Sequence, residues 1–421
     1  MKVGDYIEVK ADSNKFRGVL MPDSINGKLV LKLDSGYNIG IEKKKIKSKK
    51  LIKKGIKKRD KTVRVRQNSK LPKVLILHTG GTVASKVDYE SGGVIAKFSP
   101  DDLIGMFPEI KKIVNIKSKL IGNMWSGDMR FAHYNLLAKE VKKGVDRGFD
   151  GVIITHGTDT MHYTSAALSF ILDGLGIPVL LVGSQRSSDR GSSDAAVNLI
   201  CACQFIANSN FAEVGICMHK NMNDNACYIL PGLKTKKLHT SRRDAFKSVN
   251  DRPIAEVDIN GKISYLNTKF KKRSKDKLEL KLINDKLKIG ILKVHPNMFA
   301  QEVKNYSKFD GLIIEGSGLG HMPVDKIDKY TLENEKIFNA LKNLKIPKVM
   351  CSQTVFGRIN MNVYSYGRKI REHVIDGKDM TSETSLVKLA WILSNFKKNI
   401  KVMMEENLKG EMNSRIADEF L

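Results

Sequence analysis

Cysteine is scarce and shows no pairing pattern. Cys201, Cys203, Cys217, Cys227 and Cys351 form an odd set with no Cys-x-x-Cys pair and no histidine at ligand spacing. That argues against a disulfide framework and against a zinc site, so the five read as reduced thiols. Long apolar runs are missing as well: none approaches the ~20 residues that a membrane-spanning helix needs. The opening Met1-Lys2-Val3-Gly4-Asp5-Tyr6 alternates and carries an acid, whereas a secretory leader starts basic and continues apolar. These absences lead to the expectation of a cytoplasmic protein with no membrane partner. Acidic residues are the third shortage. Only 45 stand against 73 Lys and Arg, giving a net charge of +28, enough to steer the molecule toward a polyanion where the charge is clustered.

The charge is clustered. Fourteen Lys or Arg fall between Lys43 and Arg66 against one acid, Asp60; the run reads as a nucleic-acid contact or as a solvated basic face. At 421 residues the chain exceeds what one core usually serves, so two or three domains are expected. Residues 1–45 alternate in short apolar runs broken by Asn26-Gly27 and Ser35-Gly36, the signature of hairpins in a small β-barrel-like module. Residues 46–72 show no sustained apolar face and read as a basic linker or arm.

From Lys73 the pattern becomes short buried strands (74–77, 152–155, 179–182, 214–217), each followed by helical periodicity, which predicts parallel βαβ units. Helices are expected over 131–147, 161–172 and 193–208, and after Ser99-Pro100-Asp101-Asp102, where a cap, an N1 proline and two acids meet. A second series follows the charged stretch 269–288, with strands at 289–294, 311–315 and 349–352 and helices near 329–344 and 385–395. The expected class is α/β: a doubly wound domain over 73–268 and a smaller α/β domain over 285–421.

In an open parallel sheet the ligand site lies at the carboxyl ends of the strands. There the first strand runs into His78-Thr79-Gly80-Gly81-Thr82, where glycines let the backbone turn sharply and two hydroxyls stand at the mouth. The Gly-Lys-Ser/Thr of a phosphate loop is absent, and alone the turn reads first as a tight structural turn. The next such loop, Thr155-His156-Gly157-Thr158-Asp159-Thr160, adds hydroxyls and a carboxylate just before a helix; alone it reads as a helix cap. Together the loops make a hydroxyl-rich pocket. A hydroxyl attacks at neutral pH only when a base takes its proton.

The segments Thr79-Gly80-Gly81-Thr82-Val83-Ala84, His156-Gly157-Thr158-Asp159-Thr160-Met161 and Asp194-Ala195-Ala196-Val197-Asn198-Leu199 resemble, in order and spacing, the signatures of the bacterial-type L-asparaginase and glutaminase family. The resemblance spans roughly residues 73 to 400 and implies that Thr82 attacks a side-chain amide, releasing ammonia through an acyl-enzyme. It also implies a relay of Thr158, Lys237 and Asp159, with Lys237 placed by the segment running to Phe246 and Lys236 one position away. For substrate holding it implies Asp159 on the α-ammonium, Ser126 near the α-carboxylate and Tyr89 in a mobile lid. The family's glutamine after that serine is Gly127 here, a departure that bears on substrate contacts.

Ordinary members begin at the first strand, whereas here some seventy residues precede it. With Lys237-Leu238-His239-Thr240-Ser241-Arg242-Arg243-Asp244 and Gly357-Arg358-Ile359-Asn360-Met361-Asn362-Val363-Tyr364, the chain resembles the D-subunit family of archaeal glutamyl-tRNA(Gln) amidotransferases. That resemblance implies ammonia supply from glutamine or asparagine and a partner, the E-subunit, that handles Glu-tRNA(Gln). It further implies ATP and magnesium in the partner, no cofactor and no metal in this chain, and a homodimer within a heterotetramer. Two other readings stay open: a stand-alone asparaginase carrying a basic module, and a non-catalytic RNA-binding protein on an enzyme core. Arg242 and Arg243 read as surface residues or as charges beside the lysine, and Cys351 reads as a core thiol rather than a nucleophile.

Overall fold

The computed structural model describes residues 1–21, 27–35, 37–54, 68–81, 85–87, 94–96, 105–186 and 192–416. The expected helix start at 99–102 lies outside them, as does most of the basic arm beyond residue 54.

The N-terminal module is a five-stranded antiparallel sheet in the order Asn38–Glu42, Lys28–Lys32, Asn14–Leu20, Tyr6–Ala11, Ile46–Lys53. Alternation drives it. Ile7, Val9 and Ala11 face inward against Leu29, Leu31 and Ile41, the period of two that a half-buried sheet imposes. Asp12 takes a positive φ of 51° in the tight turn between the first two strands, a conformation Asp tolerates better than most residues. One expectation is corrected: Ile46–Lys53, read as the start of the arm, is a strand on the sheet edge. Its side chains are almost all exposed, so it left no apolar alternation to read; backbone pairing with Tyr6–Ala11 holds it.

The central sheet has eight strands in the order Ile263–Tyr265, Ala255–Asp258, Ala226–Pro231, Val214–His219, Val179–Val182, Gly151–Thr155, Lys73–His78, Asn115–Leu120. The last five named are mutually parallel and the first three attach antiparallel. Alternate side chains feed two cores. Leu77, Val152, Ile154 and Leu181 pack under helices Phe131–Asp146 and Met161–Ile171, while Val74, Ile76, Ile153 and Leu180 pack under Ala195–Asn208. Coverage of both faces explains why the parallel strands read as unbroken apolar runs.

The smaller sheet, Ile289–Lys293, Gly311–Gly316, Lys348–Ser352 and Ile375–Asp376, is wholly parallel. Its helix Ser382–Asn395 packs on Met161–Ile171, with Phe170 and Trp391 ring centroids 5.4 Å apart. This contact leaves Met161–Ile171 buried at nearly every position, as expected of a helix enclosed on every side. Burying Phe170 is worth about 2 to 3 kcal/mol. It also fixes the second domain against the helix that follows the Thr158 loop. No helix among the described residues is long and apolar enough to cross a membrane.

Candidate active site

The site begins where strand Lys73–His78 ends. His78 is buried, its Nδ1 2.8 Å from the Thr155 hydroxyl, and burial pushes its pKa down to about 3. Thr79 ties the two strand ends together: its amide and its hydroxyl both donate to the Thr155 carbonyl, at 3.1 and 3.0 Å. Gly80 and Gly81 follow with φ of +113° and +80°, in the region that favours glycine. They are also wedged. A Cβ on Gly80 would stand 2.5 Å from the Met124 carbonyl oxygen, and one on Gly81 2.9 Å from the Gly157 amide nitrogen. Thr82 and Tyr89 lie outside the described residues.

The neighbouring loop carries Thr158 and Asp159. His156 anchors it, with Nδ1 2.6 Å from the Gly157 carbonyl and Nε2 2.8 Å from the Thr164 hydroxyl. The carbonyl needs a donor, so Nδ1 carries the proton and Nε2 accepts. Burial holds this imidazole neutral, at a pKa of about 4. Gly157 allows Ser126 to approach: a Cβ there would meet the Ser126 Oγ at 3.0 Å. Thr160 donates to the Ser126 carbonyl at 2.6 Å. Ser126 is thus buried beneath the Thr158 loop, while a side chain at Gly127 would meet nothing within 4 Å.

Lys237 reaches both residues of that loop. Its Nζ donates to Thr158 Oγ1 at 2.9 Å and to Asp159 Oδ1 at 2.8 Å. The lysine side chain is 9% exposed and the aspartate 76%, so this chain of contacts runs from the interior to the surface. Strand Thr235–Lys237 pairs antiparallel with Phe246–Ser248, and its alternation sends the two lysines to different partners. Lys236 points the other way and pairs with Glu383. Burial alone would raise the Glu383 carboxyl; the His162 ring, 3.8 Å away, and the Lys236 ammonium overcome this and hold it at about 2. Lys234 forms a second buried pair with Asp379 at 2.9 Å. Both acids belong to the C-terminal domain, so the lysine strand is fastened at two points. Neither pair is legible in the sequence, because the partners lie about 145 residues apart.

The remaining marked residues are structural. Asp194, fully buried, accepts from the amides of Gln185 and Arg186 at 3.0 Å each and from the Ser184 hydroxyl at 2.9 Å. Asn198 donates to the Gly183 carbonyl at 3.0 Å. The third motif therefore shapes the next strand-end loop, whose Gly183 lies against the Thr158 methyl. Arg242 makes a forked pair with Asp244 at 2.8 and 2.9 Å, and Arg243 pairs with Asp224. Both arginines are committed to their own carboxylates. Cys351 is a buried thiol 3.1 Å from the Ser385 hydroxyl, raised by burial to about 12. No group of three or more His, Cys, Asp or Glu among the described residues is arranged to hold a metal ion.

The fold and these loops are those of the asparaginase and glutaminase class. Family models match residues 73–271 (asparaginase, N-terminal), 288–404 (glutaminase/asparaginase C-terminal domain) and 1–52 (GatD N-terminal domain). The solved L-asparaginase of Thermococcus kodakarensis superposes with a TM-score of 0.71 at 28% identity, covering 82% of this chain and 100% of its own. L-asparaginase I of Vibrio cholerae gives 0.68 at 27%, covering 82% and 99%. Over its full length the chain is 40% identical to the D-subunit of the glutamyl-tRNA(Gln) amidotransferase of Methanococcus maripaludis, covering 99% of each. It is 42% identical to that of Pyrococcus furiosus, covering 98% of this chain and 95% of the relative. The chain belongs to the D-subunit family of glutamyl-tRNA(Gln) amidotransferases.

Proposed function

We propose that this chain is the ammonia-supplying component of a tRNA-dependent amidotransferase, with Thr82 as nucleophile and Thr158, Lys237 and Asp159 as its relay. The observation that carries the reading is Lys237 held between Thr158 and Asp159, beside the Gly80-Gly81 turn to which Thr82 is bonded. Thr82 Oγ forms the bond to the side-chain amide carbon of glutamine or asparagine while its proton passes to the relay. The C–N bond then breaks as the relay returns that proton, and ammonia leaves. Water next attacks the ester, giving glutamate or aspartate and restoring the Thr82 hydroxyl. Asp159, exposed at the mouth, receives the substrate ammonium, Ser126 lies toward its carboxylate, and Tyr89 closes over it.

In the same reading a partner E-subunit binds Glu-tRNA(Gln), activates the glutamate with ATP and magnesium, and consumes the ammonia. The chain works in the cytoplasm as a homodimer within a heterotetramer and holds no cofactor of its own. The test measures ammonia released from glutamine and from asparagine, with and without partner, ATP and Glu-tRNA(Gln). Release that rises with all three present and vanishes in Thr82→Ala supports the proposal. Vigorous asparagine turnover by the isolated chain favours a stand-alone asparaginase, and function unchanged by Thr82→Ala and Lys237→Ala favours a non-catalytic role.

A further inference from the structure

A groove of about 500 Å³ lies between the edge strand Asn115–Leu120 and the helix Phe131–Asp146, on the flank of the central sheet and outside the catalytic loops. Its cations are Lys73, Lys117, Lys119, Lys143 and Arg147, and its acid is Glu140. Glu140 is a buried clamp: its two oxygens hold Lys143 at 2.8 Å and Lys119 at 2.6 Å. One carboxylate thereby seats two ammonium groups on opposite walls while their outer surfaces stay about half exposed. The side chains of Lys73, Lys117 and Arg147 have no carboxylate partner among the described residues, and all three residues are exposed. Five cations against one acid leave the groove strongly positive.

Lys117 and Lys119 sit two apart on a strand, hence on one side and about 6.8 Å apart; Lys143 lies in the last turn of the helix and Arg147 is the residue that caps its C-terminus, both lining the same groove. Two rows of cations suit a chain of phosphates better than a single small anion. The basic arm also ends at this place. Asn115, a groove residue, accepts from the Asn68 amide at 3.0 Å and donates to the Asn68 and Leu71 carbonyls at 2.6 and 2.9 Å. The chain that leaves the lysine-covered strand Ile46–Lys53 is therefore pinned to the groove's rim.

We infer that this groove is a docking site for the phosphodiester backbone of RNA. Naming a tRNA as the occupant rests on the function proposed above; the groove's charge and shape do not. Binding is read without turnover, so a failed amidohydrolase reading leaves the measurement intact. The full chain is titrated against a fluorescent tRNA(Gln) transcript between about 50 and 200 mM salt, comparing wild type with the double variant Lys117→Glu/Arg147→Glu. A control, Lys342→Glu/Lys401→Glu, makes the same charge change at exposed lysines of the second domain. The groove variant is expected to bind roughly tenfold or more weakly, with a salt slope shallower by about two, and the control to change less than about threefold. Lys117→Gln/Arg147→Gln, judged by slope alone, serves where thermal melting shows that the reversal disturbs the fold. Equal losses in groove and control variants, no binding by wild type at low salt, or displacement by inorganic polyphosphate as effective as by RNA at equal phosphate each overturns the inference.

Discussion

Lys236 and Lys237 are adjacent, alike in chemistry and opposite in direction, and replacing each by methionine should give opposite phenotypes. Lys237 touches Thr158 and the exposed Asp159, and an ion pair to an exposed carboxylate contributes only about 0 to 1 kcal/mol. Lys237→Met should therefore change the melting temperature little. Its rate of ammonia release should fall by about 10² to 10⁴, the range for a lost positioned proton-transfer group. Lys236→Met removes one of the two groups that hold Glu383 down, the His162 ring being the other. That carboxyl stands at about 2 against its ordinary 4.5, a difference worth about 3 kcal/mol for the two together and so about 1 to 2 kcal/mol for Lys236. Calorimetry should then show a melting temperature lower by roughly 2 to 8 °C, at about 2 to 4 °C per kcal/mol for a domain of this size. The rate per folded molecule should stay within a few-fold of wild type. The pair of measurements refutes the assignment if Lys236→Met loses the rate at unchanged stability while Lys237→Met keeps it.

Acid should destabilise the protein in two stages. His78 and His156 have folded values of about 3 and 4, below their ordinary 6.5. The unfolded chain therefore binds more protons, and stability drains as pH falls from about 6.5 toward 4. Glu383, also depressed, contributes stability that is present above 4.5 and is lost as pH falls from there toward about 2; urea midpoints across pH 7 to 3 check both stages, and a flat profile contradicts them. Asp194→Ala leaves the Gln185 and Arg186 amides without their acceptor and should cost roughly 2 to 4 kcal/mol, visible in the same denaturation series. Gly81→Ala forces a Cβ into the left-handed region and against Gly157; a penalty of about 1 to 2 kcal/mol for the conformation alone should accompany a marked loss of turnover. Cys351→Ala should keep its rate of ammonia release, since that thiol lies in the core.

What is legible in the sequence follows from burial. Strands such as Val179–Val182, enclosed on both faces, announce themselves as apolar runs. Asn115–Leu120 does not, because its Lys117 and Lys119 face solvent at the sheet edge, and Ile46–Lys53 is held by backbone pairing that leaves no apolar pattern. In the site, the Thr158-Asp159 loop is legible because chemistry at a strand's carboxyl end is a topological matter. The choice of Lys237 over Lys236 needs the register of a three-residue strand, which side-chain pattern does not supply. The anchors Asp379 and Glu383 are invisible, since nothing local to them speaks of a lysine so far upstream.

The double fastening of the lysine strand has a consequence for the order in which the protein is made. Gly81, Thr158, Asp159 and Lys237 are all synthesised before the ribosome reaches Asp379 and Glu383. A nascent chain thus carries Lys237 for some 140 positions without the anchors that hold its strand. The last tenth of translation is then what fastens the lysine strand to the second domain, and a chain terminated before residue 379 would lack both carboxylates that hold it.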